Sequence, residues 1–177
     1  MIIRRVAVVG IVLAGMLALG GCDGSPAPAA STPPFASEEE AFAAAEETYR
    51  AYVDALNEVD LADPETFEPV FALTTGELNA NERKTLSQMH ANEWIVRGRS
   101  AVRVLEAGGY DDISRQTTLL VCLDVSDIRV VDAHGASQVD PDRVDVQSLT
   151  VTSVPSTTAS TGMVLSEISG RDGDPTC

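Results

Sequence analysis

Three cysteines are the residues of this sequence best suited to covalent chemistry, and they lie far apart along the chain. A cysteine thiol can be acylated, can pair in a disulfide or can bind a metal ion. Cys22, Cys122 and Cys177 show no Cys-x-x-Cys spacing, and neither of the last two has a histidine at metal-ligand spacing. We therefore expect no metal site and no resident cofactor.

The histidines and aspartates form no recognisable catalytic motif. His90 falls on a predicted helix and His134 in a predicted turn. The sequence leaves open whether either histidine pairs with a nucleophile far away in the chain. Asp140 and Asp142 flank a proline in a loop that lacks the glycine and terminal glutamate of an EF-hand. The sequence contains no serine-hydrolase elbow, phosphate-binding glycine loop or zinc-peptidase helix. We predict no catalytic residue.

The start of the chain has the pattern of a secretory signal. Arg4 and Arg5 precede a short apolar run, residues 6–19, which is too short and wrongly flanked for a membrane-spanning helix. The residues Leu19-Gly20-Gly21-Cys22 resemble the bacterial lipoprotein box. This resemblance implies cleavage before Cys22 and a diacylglyceryl group on its thiol, with a second acyl chain for stable anchoring. The alternatives are an ordinary secretory signal with an incidental cysteine, or an uncleaved anchor.

A stretch rich in proline, alanine and serine follows Cys22 and is typical of a semi-extended tether. We therefore divide the chain into a signal peptide (1–21), the lipidated cysteine and tether (22–36) and a domain (37–177). The expected location is the extracytoplasmic face of the cell membrane, with the diacylglyceryl anchor on Cys22 as the membrane contact.

Lipidation of Cys22 would leave Cys122 and Cys177 as an even pair, and an oxidising compartment favours a disulfide between them. Cys122 alternates with the apolar residues of its strand, so the C-terminal tail would fold back on the face away from the helices. A disulfide that closes so long a loop stabilises a fold by roughly 4 kcal/mol. Two free thiols with a redox or metal role are the alternative.

Charge excludes some partners. Removing residues 1–21 takes away Arg4 and Arg5 and no acidic residue, which leaves 10 basic and 27 acidic residues and a formal charge of −17. Such an excess argues against binding to nucleic acid and against electrostatic adsorption to anionic lipid.

Periodicity predicts helices first and strands afterwards. Ser37 and Glu40 form a capping-box pattern that opens a helix ending near Asp60, and Pro64 and Thr75 open two more helices. Alternating apolar residues then predict one long strand over 94–107, with Val96, Val102 and Val104 on one face. The further predicted strands are 117–131, with a β-bulge near Ser126 and Asp127, and 143–154 and 163–169.

This element order is α+β, with N-terminal helices packed on an antiparallel sheet. Over residues 37–170, the order and the bulge position resemble the NTF2-like (SnoaL-like, cystatin-related) cone, whose strongly bent sheet curls around the first helix. Residues 121–126 and 130–132, with the terminal Cys177, resemble small actinobacterial lipoproteins of this fold. The stretch 162–165 departs from that group, in which a tryptophan often sits on the last strand.

The resemblance also implies where an acid or base would lie. Steroid-isomerase-like members of the fold use aspartates in apolar pockets. Asp124 lies two residues after Cys122 in the same strand, so both side chains are predicted to point away from the interior. The predicted direction of the Asp145 side chain is ambiguous.

Arg97, Arg99 and Arg103 share one parity on the first predicted strand and form a basic strip about 20 Å long. An ordinary solvated strand face is one interpretation, and docking of an anionic surface or partner is the other. The resemblance implies a third interpretation, a homodimer through this exposed sheet face.

These observations favour a lipid-anchored, non-catalytic binding or accessory module of the bacterial cell envelope. Its partner would be an envelope protein or a small apolar ligand. A SnoaL-like or ketosteroid-isomerase-like enzyme that uses the cone pocket is the alternative.

The anchor hypothesis predicts that C22A moves the protein from the membrane fraction to the soluble fraction, because two acyl chains supply the membrane affinity. Cell fractionation and immunoblotting measure this, with wild type as the control. Retention of the variant in the membrane fraction would contradict the hypothesis.

Overall fold

The computed structural model describes residues 35–177, and in that part helices precede strands. The helices are α1 (Glu38–Asn57), α2 (Glu68–Ala72) and α3 (Gly76–Ala91), with a 3₁₀ turn at Pro64–Phe67 leading into α2. The strands are β1 (Ile95–Arg97), β2 (Ala101–Tyr110), β3 (Thr117–Asp124), β4 (Arg129–Val131), β5 (Val146–Pro155) and β6 (Met163–Gly170). The predicted α+β class is confirmed. None of the described helices is long and apolar enough to cross a membrane.

Helix α1 begins where the sequence predicts. The Ser37 side chain accepts a hydrogen bond from the backbone N–H of Glu40 at 3.2 Å, which satisfies one of the unpaired donors at the helix start. The Glu40 carboxylate reaches back to the N–H of Ala36 at 2.7 Å, one residue earlier than in the usual capping box. This reciprocal pair fixes the start of the helix.

The main sheet is open, with strand order β2-β3-β5-β6 and antiparallel pairing throughout. Leu119, Val121 and Val151 alternate along its central strands and are fully buried. They belong to one core cluster with Tyr49 of α1 and Leu165 of β6. The helices therefore bury one face of the sheet, as the sequence alternation requires.

Two of the predicted long strands are broken in the structure. The stretch predicted as one strand over 94–107 forms β1 and β2, and the stretch over 117–131 forms β3 and β4. Strands β2 and β3 pair in the main sheet, whereas β1 and β4 pair separately with Val96 opposite Val130. We call this two-stranded sheet the ribbon.

Each strand break has a local cause, and the two breaks lie next to each other in the structure. Gly98 has φ +87°, and a Cβ there would lie 2.1 Å from the carbonyl oxygen of Asp127. On the other chain segment, Asp124 accepts a hydrogen bond from the N–H of Ser126 at 2.9 Å. The N–H of Ile128 donates to the carbonyl of Val125 at 3.0 Å, which closes a turn. The two strands thus turn at the same level, and their ends pair again as the ribbon.

A second irregularity corrects the predicted face of β2. The register shifts between Val102 and Val104, so that Val102 pairs with Leu123 and Val104 with Cys122. Since cross-strand partners share a face, Val104 lies on the face away from the helices, and Leu105 packs against the core. The prediction that Val102 and Val104 share a face is therefore wrong, because a β-bulge changes the parity.

The C-terminal tail is pinned to the sheet by covalent and polar contacts. Cys122 and Cys177 form a disulfide with a Cα–Cα separation of 5.5 Å. Cys122 is buried on β3, whereas Cys177 is exposed. The Arg171 guanidinium donates to the carbonyls of Gly173 at 2.8 Å and Pro175 at 2.6 Å. The tail therefore folds back on the face that Cys122 occupies, as the parity of its strand indicates.

The break at Gly98 predicts a large effect of one methyl group. We expect G98A to lower the free energy of unfolding by at least about 2 kcal/mol, because Ala disfavours the positive φ and its Cβ meets the Asp127 carbonyl. Urea unfolding measures this. The matched control is G109A, whose added Cβ has no neighbour within 4 Å, and which we expect to change stability by less than about 0.5 kcal/mol. Equal effects of the two variants would contradict this account of the break.

Candidate functional site

An apolar pocket of about 260 Å³ lies between the end of α1, helix α3 and the ribbon. Three of its lining residues, Leu61, Leu86 and Val125, are buried. Further aliphatic side chains come from each surrounding element: Leu56, Val59, Met89, Val96, Leu123, Ile128 and Val130. Concave apolar walls with a few polar groups are typical of small-molecule sites.

The ribbon forms one side of the pocket because of the strand breaks. Val96 of β1 and Val130 of β4 are directly opposed partners, so their side chains share one face of the ribbon. Both residues line the pocket. If β2 and β3 continued unbroken, these two valines would extend the main sheet.

Two polar lining residues are occupied in structural hydrogen bonds. The Asn57 side-chain amide donates to the carbonyl of Ser100 at 2.9 Å. Its oxygen accepts from the Ser100 backbone N–H at 2.8 Å and from the Ser100 hydroxyl at 3.1 Å. These bonds tie the end of α1 to the start of β2. Asn57 and Ser100 therefore hold the pocket in shape and have little capacity left for a ligand.

A carboxylate on the pocket wall is held by a buried tyrosine. The Tyr52 hydroxyl donates to one oxygen of Glu82 at 2.6 Å, and Tyr52 is 5% exposed. Burial, reinforced by the charge and hydrogen bond of Glu82, raises the pKa of Tyr52 well above its ordinary value. Tyr52 therefore stays protonated and acts as the donor. The second Glu82 oxygen accepts no hydrogen bond from residues 35–177.

The sequence pattern did not predict this pair, although one signal for it is present. Glu82 lies four residues after Leu78 and four before Leu86, on the apolar stripe of α3 that continues to Met89. A charged residue on the core-facing stripe of a helix indicates either a buried partner or a site. Tyr52 lies 30 residues earlier, and nothing in the sequence connects the two.

The histidines lie outside the pocket lining. The Nδ1 atom of His90 is 2.6 Å from the carbonyl oxygen of Leu61, and its ring lies edge-on to Phe67 with centroids 6.4 Å apart. His90 thereby joins α3 to the loop after α1. His134 is exposed in a turn, where its backbone N–H donates to Asp132 at 2.9 Å.

The acidic clusters serve as turn acceptors. Asp111, Asp132 and Asp140 each accept a backbone N–H from a residue two positions later. Such bonds lower the pKa of Asp111 and Asp132, with Ser114 the main donor to Asp111 and Ala136 the main donor to Asp132. Within residues 35–177, no group of three or more His, Cys, Asp or Glu side chains is placed to hold a metal ion. Asp145 is exposed and does not line the pocket.

The three arginines of the predicted strip lie on both sides of the strand break. Arg97 belongs to the ribbon, Arg99 to the connection and Arg103 to β2. Arg99 pairs with Glu58 at 2.7 Å, and Arg97 is exposed with no ion pair among the described residues. The prediction that one strand carries all three arginines is therefore wrong, because the chain turns at Gly98. A docking role for these arginines stays a prediction.

The predicted lipidation site, Cys22, lies outside the described residues.

Arg103 is engaged on β2. Its guanidinium donates twice to one oxygen of Asp124, at 2.9 Å from Nε and 2.6 Å from Nη2. The Asp124 side chain is only 13% exposed. Hydrogen bonds from Ser126, followed by those from Arg103, lower the pKa of Asp124 to about 2. Asp124 points away from the pocket, as its parity predicts, and fixes the turn after β3.

No protein-family model matches this sequence, and no curated protein matches it. Among solved structures, a de novo designed β-sheet protein determined by solution NMR aligns with 78% of this chain and 95% of its own. The identity is 11% and the TM-score is 0.33. A likeness of that size supports no statement about fold or function.

The lowered pKa of Asp124 predicts a pH dependence. The stability that Asp124 contributes is present above the pKa of an unfolded aspartate, about 4, and is lost as the pH falls through about 2. We expect D124N to be less stable than wild type at pH 7, and the difference to shrink between about pH 4 and about pH 2. Urea unfolding across this range measures it. The matched control D54N, on the exposed side of α1, should show no such convergence. A difference that stays constant down to pH 2 would contradict this role.

Proposed function

We propose that this protein binds a small apolar molecule in the pocket between α1, α3 and the ribbon, while a lipid anchor on Cys22 holds it at the extracytoplasmic face of the membrane. The observation that carries the proposal is the wall of aliphatic side chains around an open volume of about 260 Å³. Small-molecule sites are typically concave, with mostly apolar walls and a few polar groups. The apolar walls of this pocket therefore favour a binding role.

Hydrogen bonds hold the pocket walls in place. Asn57 and Ser100 fix the end of α1 to β2, and the Arg143 guanidinium donates to the carbonyls of Val125 at 2.9 Å and Ile128 at 3.1 Å. The segment between β3 and β4 is therefore held in place before any ligand arrives. A site with preformed walls loses less free energy to ordering on binding.

The NTF2-like cone stays part of the proposal on element order alone, since the main sheet is open and is not strongly curled around α1. The helices cover one face of the antiparallel sheet, and the pocket lies where the strands break away beside the end of the first helix.

One observation favours a catalytic alternative. Glu82 places an ionisable carboxylate beside apolar walls, and a carboxylate in that setting can act as a general base. A carrier returns its ligand chemically unchanged, whereas an isomerase-like enzyme does not. Mass spectrometry and NMR of a ligand recovered after incubation with the protein would distinguish the two.

Filling the pocket should weaken binding without unfolding the protein. We expect V130F to reduce the affinity for cyclohexanol about 10-fold or more, because the phenylalanine ring occupies the volume that the probe needs. Isothermal titration calorimetry of the purified full chain measures this.

The matched control is V131F on the same strand. Val131 pairs with Ile95, and its side chain lies on the opposite face of the ribbon from Val130. V131F should keep the wild-type affinity. Equal binding by wild type and V130F, or equal loss in both variants, would contradict the assignment of the site.

A further inference from the structure

We infer that the pocket selects a small apolar molecule that carries a protonated amine, and that Glu82 recognises the ammonium group. This inference rests on the proposed function and names the ligand class of the same site. Glu82 is the charged residue among the pocket-lining side chains. A carboxylate on an apolar wall interacts more strongly with a cation than the same group does in water.

The hydrogen-bonding state of Glu82 leaves one position for a ligand. One carboxylate oxygen accepts the Tyr52 hydroxyl at 2.6 Å, and the other accepts no hydrogen bond from residues 35–177. Tyr52 fixes the carboxylate through its own rigid place in the core, where it packs with Tyr49. An ammonium group supplies the N–H donors that the second oxygen lacks.

The two cationic residues that follow Glu82 in α3 do not neutralise its carboxylate. Arg83 follows Glu82 in α3, but its guanidinium lies 4.0 Å from the ring centroid of Phe71, and its Nε donates to Asn79 at 3.0 Å. Lys84 is exposed and does not line the pocket. No cationic side chain among the pocket-lining residues therefore neutralises Glu82, which leaves its charge available to a ligand.

The remaining polar groups do not favour an anionic ligand. Asn57 and Ser100 bond to each other, and the exposed Thr85 hydroxyl stands one turn of α3 after Glu82. An anion would meet the carboxylate without a compensating positive group. A neutral apolar ligand would displace water from the carboxylate and give no hydrogen bond in return, which costs free energy. A cationic amine avoids both penalties.

The inference is tested with three probes of one skeleton: cyclohexylmethylamine, cyclohexylmethanol and cyclohexanecarboxylate. Isothermal titration calorimetry of the purified full chain at pH 7 compares them. We expect the amine to bind about 10-fold or more tightly than the alcohol, and the carboxylate to bind most weakly. E82Q should lower the affinity for the amine about 10-fold or more and that for the alcohol much less, because only the ammonium group forms a hydrogen bond between two opposite charges.

The matched control is E47Q, which removes the same unit charge from an exposed position of α1 away from the pocket. An equal loss of amine affinity in E82Q and E47Q would overturn the inference, because the effect would then come from the overall negative charge. Equal affinity of wild type for amine and alcohol would also overturn it. Should E82Q fail to fold, the three probes on the unaltered chain still decide.

Failure of the proposed function looks different. In that case none of the three probes binds, or V130F leaves the affinities for amine and alcohol unchanged. If the alcohol binds and V130F weakens its binding, the pocket is a site, and only the preference for an amine is in question.

Discussion

The close approach of Gly98 to the carbonyl of Asp127 is the constraint on which the rest of the site depends. A side chain at position 98 would meet that carbonyl, so only glycine lets the two chain segments turn beside each other. Because both strands turn at one level, their ends pair again as the ribbon instead of extending the main sheet. An isolated two-stranded sheet is marginal by itself. The ribbon therefore depends on the surrounding contacts, including the hydrogen bonds from Arg143.

The pocket follows from this geometry together with the lengths of the helices. Helix α1 ends at Asn57, level with the start of β2, and its last polar side chain bonds to Ser100. Beyond that point α3 and the ribbon continue, and aliphatic side chains face a volume that none of residues 35–177 fills. Apolar side chains that face such an open volume are exposed to water, which is unfavourable. A ligand that covers these side chains would remove that apolar surface from water and gain free energy.

The disulfide and the Arg171 contacts act at the opposite side of the sheet from the pocket. They cover Cys122 with the C-terminal tail, so that the face of the sheet without helices is partly shielded there. A cross-link over 55 residues restricts the unfolded chain, which stabilises a domain of this size.

Local signals in the sequence determined the order of the elements and many of their ends. Ser37 and Glu40 set the start of α1, and the alternation of Leu119, Val121 and Leu123 set the buried face of β3. The parity of Cys122 gave the face that the tail covers. These features depend on hydrogen bonds and periodicity within a few residues, which a sequence displays directly.

Contacts between distant segments decided the rest. The break of both long strands needs Gly98 and Asp127 to meet, and the bulge that turns Val104 outward appears only in the pairing of β2 with β3. Likewise, the pair of Tyr52 and Glu82 joins two helices whose relative placement no local pattern encodes. The sequence by itself therefore determined an α+β domain with a buried sheet face. Only the tertiary structure decided that the chain leaves a pocket and puts a carboxylate on its wall, because both result from packing between segments far apart in the chain.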